Sequence, residues 1–183
     1  MDITHLQPRK AQTGDFDAIM LLMSHAQAAI RALGIDQWQD GYPEPELIAS
    51  DIEKQIGWVF ADGERIAGYA VLLFGREPIY DELDGAWLTS GDRYVTIHRM
   101  AIDDGYRGTG LSRKMIAFAE EQARKQGLLS VRADTHRGNL AMRGLMRKCG
   151  YALCGEVRYD VTAGDPIRVA YEKVLEKNVQ CGF

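Results

Sequence analysis

The chain of 183 residues is 46% hydrophobic and 26% charged, an ordinary composition for one globular domain spanning residues 1–183. No apolar run approaches the roughly 20 residues of a membrane span, and the polar start Met1-Asp2-Ile3-Thr4-His5 lacks the pattern of a secretory signal. Three cysteines (Cys149, Cys154, Cys181) are odd in number and show no metal spacing with the four histidines, so the expectation is no disulfide framework, no metal and a reducing cytoplasm. The net charge of −4 conceals an asymmetry: residues 1–106 carry 8 Lys/Arg against 18 Asp/Glu, and residues 107–148 carry 10 against 3. A basic segment in an acidic chain suits a locally bound polyanion, although solvated helix faces account for the same composition. The acidic front half and the lack of a stacking-aromatic module disfavour nucleic acid.

Taken in chain order, residues 5–12 read as a strand. A helix follows over residues 16–33, with Ala18, Leu22, Met23, Ala26 and Ile30 on one face and Gly34 ending it. The turn-rich loop Trp38-Gln39-Asp40-Gly41-Tyr42-Pro43 comes next, then a second helix over residues 45–56, opened by Pro45. Residues 58–61 and 65–74 form a hairpin around Asp62-Gly63. Residues 75–92 read as an acidic loop, residues 94–102 as a strand, and Arg107-Gly108-Thr109-Gly110 leads into a helix that stops before Gly127. A strand over residues 129–133, a helix over residues 139–148 and a closing hairpin (residues 154–162 and 167–175) complete a mixed sheet covered by helices.

The segment Tyr94 to Ser112 carries the most chemistry. A strand enters a glycine-containing turn that starts a long helix. Backbone N–H groups at a helix start lack intrahelical partners and carry the positive end of its dipole, which suits a pyrophosphate. Glycines allow close approach, and Arg107 adds a planar donor fork. A P-loop is excluded because Leu111-Ser112, not Lys-Ser/Thr, follow Gly110, and a dinucleotide fingerprint is excluded because Arg113 stands where its third small residue belongs.

Arg107-x-x-Gly110-x-Ser112 resembles the cofactor motif of the GNAT acetyltransferases, with Ser112 in place of the usual final Gly or Ala, and Met100-Ala101-Ile102 resembles the end of the strand before it. Arg132-Ala133-Asp134-Thr135-His136, then Asn139, Met142, Leu145 and Lys148-Cys149-Gly150-Tyr151, are similar to the family's next strand, helix and Gly-aromatic turn. The resemblance implies a GNAT-like α+β fold: a mixed sheet of six to seven strands, about four helices, and central parallel strands splayed around acetyl-coenzyme A. It implies that amides of Arg107, Gly108, Thr109, Gly110, Leu111 and Ser112 hold the pyrophosphate. Met100, Ala101 and Ile102 would border the pantetheine and acetyl carbonyl through their backbone, and Asn139 and Met142 would flank the pantetheine arm, with a helix N-cap as the alternative role for Asn139.

The implied reaction is direct acetyl transfer from acetyl-coenzyme A to an amine, preferably a small molecule. A non-catalytic acyl-coenzyme A sensor, or transfer to protein N-termini or lysines, are the alternatives, and a homodimer is left open. His98 is the candidate base, placed by strand alternation on the face of Met100 and Ile102. Relatives often carry a Tyr acid where this chain has Met146, which is expected to pack near the thioester. Trp38, Tyr42 and Tyr80 are the acceptor-pocket candidates, because the early helical region and mid-chain loops commonly wall that pocket in the family.

Overall fold

The computed structural model describes residues 2–161 and 164–176. Thr162, Ala163 and Cys181 lie outside the described residues. In chain order the elements are β1 (Gln7–Lys10), α1 (Phe16–Ala32), α2 (Pro45–Glu53), β2 (Gly57–Asp62), β3 (Arg65–Phe74), β4 (Asp84–Gly85), β5 (Tyr94–Ile102), α3 (Leu111–Lys125), β6 (Ser130–His136), α4 (Leu140–Lys148), β7 (Ala152–Arg158) and β8 (Ile167–Val174). They form one mixed sheet in the order β1-β2-β3-β5-β6-β8-β7-β4. The α+β class is as expected, with eight strands among the described residues rather than six or seven.

The additional strand is β4, inside the segment expected to be a loop. It consists of two residues, paired as Asp84↔Glu156 and Gly85↔Gly155. Two residues carry no periodicity, and a glycine in an acidic stretch reads as a turn.

Helix α1 buries Ile19, Leu22 and Met23 with Ala26 packed beside them, so the expected inner face holds except that Ile19 takes the place of the exposed Ala18. The larger side chain decides, since burying an Ile is worth about 1.5–3 kcal/mol and burying an Ala much less. With α2, this helix covers one side of the sheet over Val59, Tyr69 and Val71. The other side packs Ala70, Leu72, Val95, Ile97, Val131 and Ala133 against Met115, Ile116 and Ala119 of α3 and Met146 of α4. Strand β3 is therefore buried on both faces, which is why its sequence reads as a continuous apolar run.

The site is positioned by what happens at the end of the parallel pair β5/β6. Four register pairs join these strands, from Tyr94↔Ser130 to Ile97↔Ala133. Beyond them β5 stays with β3 as far as Ile102, and β6 stays with β8 as far as His136. A wedge opens between the strands, with His98 and Asp134 the first residues on its two sides.

A bulge in β5 lies at the same point. Tyr69 pairs with Ala101 and Val71 pairs with His98, so three steps on β5 match two on β3, and Arg99 takes φ +50°. The left-handed conformation costs a non-glycine residue about 1–2 kcal/mol. Arg99 offsets that cost by donating to both oxygens of Asp51 at 2.8 Å and to the Tyr42 hydroxyl at 2.7 Å. The bulge corrects the expected strand phase. His98 shares the face of its partner Val71, toward α1 and α2, whereas Met100 and Ile102 pack on the α3 side.

No helix among the described residues is long and apolar enough to cross a membrane. Among the same residues no group of three or more His, Cys, Asp or Glu is placed to hold a metal ion, and Cys149 and Cys154 are free thiols.

Candidate active site

A cleft of about 600 Å³ lies between the start of α3 and the outer face of α4. Its walls include Ile102 and the whole turn Arg107, Gly108, Thr109, Gly110, Leu111 and Ser112, with Arg113, Leu145 and Lys148. The helix N-cap is Gly110 at φ +94°, preceded by Gly108 at φ +75°. The first intrahelical bond runs from the Lys114 N–H to the Gly110 carbonyl at 3.1 Å, so the amides of Leu111, Ser112 and Arg113 precede it. A Cβ on Gly108 would meet nothing within 4 Å, and one on Gly110 would meet only Ile3 Cδ1 at 4.0 Å. The turn thus presents open backbone to the cleft, at the positive end of a 15-residue helix, as a phosphate-bearing ligand requires.

The charge asymmetry resolves into two populations. Arg107, Arg113 and Lys148 border the cleft, Arg107 pairing at 2.7 Å with the exposed Asp104. Arg132 and Lys114 serve the fold instead. Arg132 is buried, bonds Glu172 at 3.0 Å and stacks on Trp87 and Tyr94, while Lys114 ties α3 to the carbonyls of Ile3 and Leu6.

A second cavity, of about 500 Å³, adjoins the first at the strand splay. Its walls come from the α1–α2 loop (Trp38, Tyr42), β5 (His98, Arg99, Met100), β6 (Asp134), α4 and its N-cap (Met142, Asn139) and the residues after β7 (Tyr159, Asp160). His98 Nε2 lies 2.7 Å from Glu77 Oε2, and both side chains are largely buried. Burial works to raise the Glu77 carboxyl, but the hydrogen bond and charge of His98 outweigh it and hold the group below the usual carboxylate range. The pair is thus a histidine whose ring is oriented by a carboxylate and whose remaining nitrogen can exchange a proton.

Most expected site residues fall on these two cavities. Ala101 lines neither cavity, because its side chain is buried on the α1 side of the sheet. Asn139 caps α4, its Oδ1 accepting from the Met142 N–H at 3.0 Å, which leaves the amide nitrogen as the group that can donate to a ligand. Two expectations are corrected. Tyr80 is 2% exposed and lines neither cavity, because it is packed against Trp87 and Tyr94 and donates at 2.8 Å to Asp134. Met146 is fully buried in the core beneath α3 and α4 and lines neither cavity, because the inner face of α4 turns it toward Tyr151 and β6 rather than toward the cleft.

Sequence reasoning missed Glu77, Arg99, Asp134 and Tyr159. Only Asp134 left a trace: an aspartate inside a strand pattern runs against strand preference.

The model of the Acetyltransferase (GNAT) family matches residues 25–151, which includes the α3 turn and both strands of the splay. A crystal structure of a GNAT-family acetyltransferase from Streptococcus agalactiae is 38% identical, with a TM-score of 0.81 over 95% of this chain and 98% of that one. The uncharacterized N-acetyltransferase YesJ of Bacillus subtilis is 26% identical over 145 residues, 77% of this chain and 78% of the relative. Streptothricin acetyltransferase of Escherichia coli is 30% identical over 74 residues, and there the match spans only 40% of either protein. A turn of open glycine backbone at a helix start, a bulged strand splaying from its parallel neighbour and matches over most of the chain converge, and the chain belongs to the GNAT family of acetyltransferases.

Proposed function

We propose that the protein transfers the acetyl group of acetyl-coenzyme A to the nitrogen of a small-molecule amine, with His98 as general base. The observation that carries this reading is the meeting of two unlike cavities at one splay. One is floored by open amides and edged by basic side chains. The other is walled by aromatics and carboxylates around the His98–Glu77 pair. The residues of the first fit acetyl-coenzyme A: the amides at 108–113 would take the pyrophosphate, with Arg107, Arg113 and Lys148 nearby. Asn139 and the backbone of Met100 and Ile102 would take the arm. The bound thioester supplies an activated acyl carbon.

The remaining chemistry falls to side chains of the second cavity. An amine is mostly protonated at neutral pH and attacks only as the free base. His98, held by Glu77, accepts the proton as the nitrogen–acyl bond forms and the carbon–sulfur bond breaks. Its position on the α1 side, opposite the face that packs toward α3, lets the acceptor approach from across the sheet. A volume of about 500 Å³ under Trp38 and Tyr42 suits a small ligand.

Continuous assay of free coenzyme A thiol with a panel of primary amines tests the proposal. Acceptor-dependent, saturable release is expected. Saturable acetyl-coenzyme A binding with no acceptor-dependent release would favour a sensor instead.

A further inference from the structure

Two phenols hold the Asp134 carboxylate by one oxygen and leave the other to the cavity. Tyr80 donates to Oδ1 at 2.8 Å and Tyr159 donates to the same atom at 3.0 Å. Both donors are neutral, and burial together with Asp134 itself pushes both phenols up, so they stay protonated as donors. Among the described residues Oδ2 has no protein donor. Among the described residues no Lys, Arg or His pairs with this carboxylate, although it is half-buried at the apex of the splay. An ionised carboxylate in such a wall is costly unless a cation accompanies it.

The rest of the cavity extends the imbalance. Asp40, Glu44 and Asp160 line its exposed rim, and none is in an ion pair among the described residues. Two guanidiniums share the walls. Arg99 is committed to both oxygens of Asp51, and Arg168 donates to the backbone carbonyls of Asp165 and Ile167. Four carboxylates therefore face a space whose walls hold two guanidiniums, Arg99 neutralised by Asp51 and Arg168 bound to carbonyls alone, so negative charge remains in excess. The rings of Trp38 and Tyr42, 6.1 Å apart, add faces that attract a cation.

We propose that the acceptor is a dibasic amine whose reacting ammonium docks on Asp134 Oδ2, with its second cation among the rim carboxylates. The two phenols orient the carboxylate, and the rim charges select against acceptors that carry an anionic or neutral tail. The proposal rests on the acetyl-transfer reading for the role of the cavity, and on the charges themselves for the class of ligand.

Calorimetry on the full chain, with and without coenzyme A, tests it by titrating 1,5-diaminopentane and n-pentylamine. The diamine is expected to bind about tenfold or more tightly, equivalent to about 1.4 kcal/mol. Asp134→Asn keeps an Oδ1 for the phenols and should weaken both amines by about tenfold or more. The triple variant Asp40→Asn/Glu44→Gln/Asp160→Asn should remove only the diamine's advantage, and it carries the test alone if Asp134→Asn loses its cooperative thermal transition. Equal binding of the two amines, no heat from either, or a folded Asp134→Asn that titrates like the parent would overturn the proposal. The two readings fail separately. Unchanged titrations alongside amine-dependent thiol release sink the dibasic acceptor alone. Charge-dependent binding without thiol release from any amine sinks acetyl transfer alone.

Discussion

The two cavities that meet at the β5/β6 splay are built by different means. The cleft at α3 is made of backbone: one turn, two glycines at positive φ and the first amides of a helix, all within residues 107–113. The cavity across the sheet is made of side chains drawn from the α1–α2 loop, both central strands, α4 and the residues after β7, with Glu77 behind His98. A backbone site recognises a feature common to many ligands and tolerates sequence change around it. A side-chain site is set by particular partners and carries selectivity. Substitutions in the α3 turn should therefore act on cofactor binding, and those around His98, Arg99 and Asp134 on turnover, acceptor and stability.

The largest effect belongs to His98. His98→Gln keeps a donor for Glu77 but takes up no proton near neutrality. Acceptor-dependent turnover should fall by roughly 10²–10⁴-fold, with acetyl-coenzyme A affinity unchanged by calorimetry and the acidic limb of the pH–rate profile gone. Parent turnover with that limb retained would remove the base from this cavity and blur the contrast between the two regions.

Next comes the Arg99–Asp51 pair, with side-chain exposures of 9% and 2%. Asp51→Asn leaves a buried guanidinium without its counter-charge in the bulge that sets the phase of His98. A loss of about 3–5 kcal/mol is expected in urea unfolding. A loss below about 1 kcal/mol would mean that other groups hold the bulge.

In the cleft, Gly110→Asp puts a carboxylate where the pyrophosphate is expected, against the field of α3. Acetyl-coenzyme A affinity should fall roughly 100-fold, about 2.7 kcal/mol, with a cooperative thermal transition. Gly110→Asn, similar in shape but uncharged, should lose far less. Equal losses in the two variants would assign the effect to backbone strain at φ +94° rather than to charge.

The smallest effect concerns pH. The Glu77 carboxyl is held below its ordinary range in the folded chain, so its contribution to stability is present above its unfolded value and lost as pH falls through the folded one. The urea midpoint of Glu77→Gln should trail the parent most near neutrality and converge with it below about pH 4. A gap that widens toward acid would reverse the assigned sign.

The contrast between the regions also explains what the sequence disclosed. The cleft was legible because its determinants are local: the strand, the turn glycines and the helix start follow one another within residues 94–125. The cavity was mostly opaque because its contacts are distant in sequence: His98 to Glu77 spans 21 positions, Arg99 to Asp51 spans 48 and Tyr80 to Asp134 spans 54. Trp38 and Tyr42 were placed through the resemblance, not through any pattern in their neighbours. Period-two alternation gave His98 the wrong face, since one extra residue in β5 resets the phase and no glycine marks the bulge. Tyr80 misled for a related reason. It was placed by the same resemblance, as part of a mid-chain loop, and only the fold reveals that the 3-10 turn carries it into the core behind Asp134.

The most direct test of the division between the two regions is a crystal structure with acetyl-coenzyme A and a non-reacting amine analogue. The pyrophosphate should lie within hydrogen-bond distance of amides in residues 108–113, and the amine on the α1 side of the splay between His98 and Asp134. A pyrophosphate away from the α3 turn, or an amine on the α3 face beside Met100 and Ile102, would contradict it.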